Sequence, residues 1–304
     1  MRDDEMLTVE GRSAVRLQRR YPHPIEKVWR AVTTPEHLGQ WFPSSVEVDL
    51  RVGGAMRFTF GLGDGAEGDG PAMTGEVVEL DPPRLLAFTW GDAGLRFALA
   101  PDGDGTILTL TQTFDDTAGG ASFATGWGLC LAGLAALLEG DALPEASRGV
   151  ARHEELVTRF GLDRGTVTEA DGRWTVRFER QLTAPAEVAW DLFLGVDPAT
   201  DEPRAAPAVG EAFTPFAAPE VVLGTVTEVD PPRVLAFDAA PGEPGDHVRV
   251  ELGEGTGHGA RLILAVTGSV DRPDERDAAT EQWKGAVAHV AAGAASWAEV
   301  HAPA

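Results

Sequence analysis

The stretch Gly75 to Trp90, GEVVELDPPRLLAFTW, is written again from Gly224 to Ala239 as GTVTEVDPPRVLAFDA. Each version is an extended segment, an Asp-Pro-Pro-Arg corner and a second apolar run. Proline fixes φ and drives the residue before it out of the helical region, so a double proline between apolar runs is a turn joining two strands. A corner duplicated together with both flanking strands implies two copies of one domain. At 304 residues the chain has room for two, each able to bury a core.

The first copy opens on a loose arm, Met1 to about Gly11. Ser13 to Tyr21 then alternates, with Val15, Leu17, Arg19 and Tyr21 on one side, as a half-buried strand does. Pro24 starts a short helix over Ile25 to Val32, and Thr34-Pro35-Glu36 starts a second that leads to Trp41-Phe42-Pro43. About six strands follow. Met56, Phe58 and Phe60 share a face in one; Leu86, Phe88 and Trp90 in another; Leu95, Phe97 and Leu99 in a third; Thr106 to Thr113 alternates threonine with leucine. The Gly-Asp loop from Gly61 to Gly70 reads as a hairpin connection, without the ordered ligand spacing of a Ca²⁺ loop or the helix start of a phosphate site. Ser122 to about Glu139 closes the copy as a helix, with Phe123, Trp127, Leu131, Leu134 and Leu138 at helical spacing.

Residues 12–140 therefore form one domain and residues 166–304 a second, joined over 141–165 by a segment whose Glu145 to Phe160 reads as a helix packing between them. In the second copy Val176 to Leu182 repeats Val15 to Tyr21, so Arg180 repeats Arg19, and Trp190 falls where Trp29 stands. The stretch from Glu36 to Pro43, with Trp41, has no counterpart in VDPATDEPRAAPAVG, and Trp90 is answered by Ala239. The second copy is trimmed, and on that reading its cavity is the weaker ligand site.

Forty-eight acidic against 25 basic residues leave a formal charge of −23. That balance argues against nucleic acid and anionic membrane surfaces as partners, because both require clustered Lys and Arg. The single cysteine, Cys130, closes no internal disulfide and fits a reducing compartment. No window reads as long and apolar enough to span a membrane, and the charged N-terminus lacks a signal peptide's apolar core. The expected location is the cytoplasm.

Taken together, Pro24-Ile-Glu-Lys-Val-Trp29, Thr34-Pro-Glu-His-Leu38 with Trp41, Gly53-Gly54, Gly75-Glu76 through Pro83, and Gly126-Trp127 resemble the SRPBCC superfamily of START/Bet v1-like helix-grip domains. The resemblance is to the branch similar to the C-terminal domain of the Hsp90 ATPase activator (AHSA1-type). It covers nearly all of Ser13 to Glu139 and, more loosely, Thr175 to Val300. It implies an α+β class: two tandem helix-grip domains, each a curved antiparallel sheet around a long C-terminal helix, usually enclosing an apolar cavity. A sheet with one apolar face needs a cover, and only the closing helix is long and apolar enough to supply it.

The implied function is binding of a small apolar or aromatic molecule, chiefly in the first copy, with no cofactor and no metal. Trp41, Phe58, Phe88, Trp90, Phe97, Trp127 and Leu131 are the candidate lining; simple core filling is the alternative for each aromatic. Arg19, on the apolar side of its strand, is either a ligand anchor or one half of an ion pair. Glu76 is a candidate acid if it faces inward, and His37, near Trp41, is the one histidine of seven placed for a role. No Gly-x-Ser-x-Gly elbow, His-Glu-x-x-His helix, Cys-x-x-Cys pair or P-loop occurs. Relatives in the superfamily include polyketide aromatase/cyclases, which makes a cyclase the second expectation. A chaperone-activating protein is the third, and a protein partner or homodimer is open.

Overall fold

The computed structural model describes residues 3–60, 72–144, 149–195, 202–215, 218–257 and 259–301. The chain divides into two compact units, Met1–Gly149 and Val150–Ala304. The Gly61 to Gly70 loop lies outside the described residues, as do residues 145–148 and 196–201.

The first unit runs β1 (Asp3–Val9), β2 (Arg12–Tyr21), α1 (Ile25–Thr33), α2 (Pro35–Trp41), β3 (Ser45–Val48), β4 (Ala55–Thr59), β5 (Ala72–Asp81), β6 (Leu85–Trp90), β7 (Ala93–Asp102), β8 (Gly105–Phe114) and α3 (Gly120–Glu139). Its eight strands form one antiparallel sheet in the order β1-β2-β8-β7-β6-β5-β4-β3. Val15 and Leu17 of β2, Phe97 of β7 and Leu108 and Leu110 of β8 are buried. Along α3, Trp127, Leu131, Leu134 and Leu138 are buried with them. The helix ends on Gly140, whose φ of +77° supplies the left-handed C-terminal cap.

Two expectations are corrected here. The first residues are not a loose arm: Asp3–Val9 pairs residue for residue with β2 through a turn at Glu10 and Gly11, both at positive φ. A two-residue turn with both φ values positive matches strand twist, which is why it closes hairpins. The apolar-span expectation also fails, since the helical stretch Thr117–Glu139 is long and apolar enough by length and composition to cross a membrane. In this unit it lies against β2 as the core helix, half of its apolar window buried.

The second unit runs α4 (Val150–Phe160), β9 (Thr166–Ala170), β10 (Arg173–Gln181), α5 (Ala186–Leu194), β11 (Ala212–Phe213), β12 (Gly224–Asp230), β13 (Val234–Ala239), β14 (His247–Glu254), β15 (Ala260–Ser269) and α6 (Pro273–Val300). Strand order is β11-β12-β13-β14-β15-β10-β9, the order of the first unit without its β3. The likeness extends to single hydrogen bonds. Arg84 N–H donates to the Asp81 carbonyl and Arg233 N–H to the Asp230 carbonyl, both at 2.7 Å, and each corner holds a cis Pro-Pro bond. Both repeats carry a register shift at the same point, between Val77 and Glu79 and between Val226 and Glu228. Helix α4, read from the sequence as part of the connection, packs on α6 within the second unit.

Candidate functional site

In the first unit the inward residues of the sheet and the covering helices bring eight aromatic side chains together. Helix α2 ends in Trp41, and the extended Phe42 that follows turns its ring under α3. Phe42 is the hub, with ring centroids 5.7 Å from Trp41, 5.9 Å from Phe58, 5.6 Å from Trp90 and 5.4 Å from Trp127. Phe88 joins Phe58 at 5.8 Å and Phe97 at 5.6 Å, and Phe60 lies over Trp90 at 6.4 Å. These separations and tilts are the ordinary geometry of attractive ring contacts. Of the eight, only Phe60 and Trp90 keep partial solvent exposure, so the cluster opens at that pair.

The three indoles are treated differently. Trp41 Nε1–H donates to the Ala31 carbonyl at 2.9 Å, and Trp127 Nε1–H donates to Gln112 Oε1 at 2.5 Å. Trp90 Nε1–H is buried and has no acceptor. Gln112 is itself buried, an amide on the inner face of β8 between leucines and Phe114. Leu131 is also in this interior, and its carbonyl accepts from Tyr21 Oη at 3.1 Å.

The remaining candidates from the sequence do not join the cluster. Arg19 Nη1 donates to Asp4 Oδ1 at 2.6 Å, and Asp4 is almost wholly buried. Its repeat, Arg180, is buried and bonded to Glu154 of α4. Burial pulls the Arg180 guanidinium below its ordinary range, against the opposing pull of Glu154. In each unit the inward arginine is thus matched by a carboxylate from the element that precedes the repeat. His37 Nδ1 sits 3.3 Å from the Arg30 carbonyl, facing α1. Glu76 is exposed on β5. Burial pushes the Cys130 thiol up to about 11, which keeps it a thiol rather than a nucleophilic thiolate at neutral pH.

Two residues that matter to the cluster escape the sequence reading, Phe42 and Gln112. Gln112 had a signal, because it occupies an inward position in a strand whose other inward residues include Leu108 and Leu110. Phe42 had none beyond its place next to Trp41.

The second unit holds a cavity of about 460 Å³, walled by Leu192 and Phe193 of α5, Phe213, Pro215 and Leu223, and Gln282, Trp283, Ala286, His289 and Val290 of α6. The sequence reading placed the ligand chiefly in the first copy and made the second the weaker site. The repeat explains the difference. Ala239 stands where the first unit has Trp90, and the sequence between α5 and β11 carries no counterpart of Trp41 and Phe42. The trimmed copy keeps the sheet and the covering helix but lacks the rings that fill the space between them.

A profile of the family described as Activator of Hsp90 ATPase homolog 1-like protein matches residues 22–139. No curated protein matches. Among solved structures, CalU16 from Micromonospora echinospora is 25% identical, with a TM-score of 0.42, over 52% of this chain and 96% of that one. Protein CV1439 from Chromobacterium violaceum is 30% identical, with a TM-score of 0.36, over 42% of this chain and 98% of that one. DynU16, from the dynemicin biosynthetic locus, is 20% identical, with a TM-score of 0.38, over 92% of this chain and 98% of that one. By the profile match, and by the sheet and covering helix that carry its motifs, the chain belongs over residues 22–139 to the Activator of Hsp90 ATPase homolog 1-like protein family.

Proposed function

We propose that this protein binds a small apolar or aromatic molecule, and that the open binding space is the cavity of the second unit. The observation that carries this reading is the cavity of about 460 Å³ with Leu192, Phe193, Phe213, Trp283 and Val290 in its wall. That volume falls within the roughly 300–1,000 Å³ of small-molecule sites, and the composition, mostly apolar with a few polar groups, is theirs too. Gln282, whose side-chain amide donates to Glu243 at 3.0 Å, and His289 are the polar side chains of the α6 wall.

Native mass spectrometry before and after organic extraction tests the reading, followed by thermal shift with aromatic ligands. A ligand present at 100 times its Kd stabilises the folded state by about 2.7 kcal/mol by mass action, which is measurable as a raised melting midpoint. Ala286→Trp puts an indole into the cavity and is expected to abolish that stabilisation while leaving the circular dichroism unchanged. Equal stabilisation of the wild type and Ala286→Trp would remove the cavity from the proposal. A cyclase would need interior groups that move protons: in the first unit Arg19 is paired with Asp4, Glu76 is exposed and His37 faces α1, whereas His289 lies in the wall of the second unit's cavity.

A further inference from the structure

The second unit departs from the first at a connection that borders its cavity. Strands β6 and β7 are joined by two residues, Gly91 and Asp92, whereas β13 and β14 are joined by seven, Ala240 to Asp246. The longer connection begins directly after Ala239, the position at which the first unit carries Trp90. Its two roots are fixed. Ala240 N–H donates to the Leu223 carbonyl at 2.9 Å, and Asp246 N–H donates to the Thr267 carbonyl at 2.7 Å. Gly245 is buried, with its N–H on Glu275 of α6 at 3.2 Å. Asp246 is ion-paired with Arg173 and Arg272. Between the roots Pro241 and Gly242 are exposed, and Glu243 N–H turns back to the Ala240 carbonyl at 3.0 Å. The Glu243 carboxylate then reaches α6, where it accepts from Gln282 Nε2 at 3.0 Å.

Leu223 and Gln282 are both wall residues of the cavity, one from the stretch leading into β12 and one from α6. A segment tied to each runs from the sheet wall to the helix wall. Gln282 is exposed, which puts the Glu243 tie at the cavity's rim. We infer that residues 241–244 are a lid on this cavity, closed by the Glu243–Gln282 hydrogen bond and opened by its release. The lid rests on the reading of the cavity as a small-molecule site and governs access to it. Pro241 and Pro244 have no N–H to bond to either wall, and Gly242 and Gly245, at φ of +97° and +95°, flank Glu243 with the least restricted backbone. Such a lid sets the rates of entry and exit and leaves the affinity alone, because the apolar wall is the same open or closed.

Access is measurable without a ligand. Ala286→Cys places a thiol in the cavity wall, and Ala288→Cys places one on the exposed side of α6. Each full chain is treated with N-ethylmaleimide and followed by mass spectrometry on the peptide that carries the new thiol, apart from Cys130. Loss of one side-chain hydrogen bond in Glu243→Ala should speed modification of the Ala286→Cys chain about fivefold and leave the Ala288→Cys chain unchanged. Glu243→Gln, whose amide oxygen still accepts from Gln282, should react as the parent does. Equal rates with and without Glu243→Ala overturn the lid, and so does equal acceleration of both thiols, which is a loosened α6. The neutral probe N-phenyl-1-naphthylamine separates the lid from the ligand reading. Stopped-flow association and release should both quicken in Glu243→Ala with Kd unchanged; a shift in Kd with unchanged association overturns the lid by making Glu243 part of the binding wall. A quickened thiol in a chain that binds no probe keeps the lid and removes the small-molecule reading. Probe binding with equal thiol rates does the reverse.

Discussion

At the residue scale the clearest feature is a charge placed where the strand pattern calls for an apolar group. Arg19 follows Val15 and Leu17 on the inner face of β2, and its partner Asp4 comes from the strand alongside. With both groups largely withdrawn from water, removing one partner leaves the other desolvated and uncompensated. Asp4→Asn is therefore expected to cost about 3 kcal/mol, read as a lowered melting midpoint of the first unit. A surface pair such as Arg12–Asp115 should cost less than about 1 kcal/mol when broken in the same way. Equal effects would mean that the Arg19–Asp4 pair is hydrated in solution. The pair was half legible from the sequence. The alternation of β2 placed Arg19 inward, but the partner lay in residues that read as a loose arm. Charged residues dominate Asp3 to Glu5, and nothing in that pattern announces a strand.

At the element scale the repeated corner sets the sheet. Gly75 and Gly224 open the two versions, and each lies against the strand that follows the turn. A β-carbon on Gly75 would fall 2.0 Å from the Thr89 carbonyl oxygen, and one on Gly224 would fall 2.2 Å from that of Asp238. Both contacts are with backbone, which cannot step aside without breaking the ladder. Gly75→Ala should therefore separate β5 from β6 and cost at least the roughly 1–3 kcal/mol of an overpacked core position. It should also expose Trp90, so a red-shifted tryptophan emission is the second signature. Retained stability with unshifted emission would show that the strands can slide apart at little cost. The sequence shows that this glycine is written in both copies, but the obstacle is an oxygen 14 residues away that becomes a neighbour only once the corner has turned.

At the scale of the whole molecule, each unit has its own sheet, its own closing helix and its own buried cluster, the second drawn from β10 to α6. Residues 1–149 expressed alone should accordingly fold, with one cooperative thermal transition and dispersed amide resonances. A molten product, with helical circular dichroism but collapsed dispersion, would refute that independence. What separates the units is what fills them. One sheet plan carries a packed aromatic cluster in the first unit and a cavity of about 460 Å³ in the second.

The sequence by itself determined the duplication, the strand-corner-strand unit, the class of fold and most of the aromatic positions. Those properties are local: proline restricts the chain next to it, alternation sorts side chains to two faces, and helical spacing marks the cover. Only the tertiary structure decided that the second unit holds a cavity, that Phe42 is the hub of the cluster, that Gln112 holds Trp127, and that Trp90 is left with a donor and no acceptor. Volume and hydrogen-bond pairing are sums over residues far apart in the chain. Whether the loss of a few large rings leaves a cavity or is refilled depends on how close the remaining walls can come.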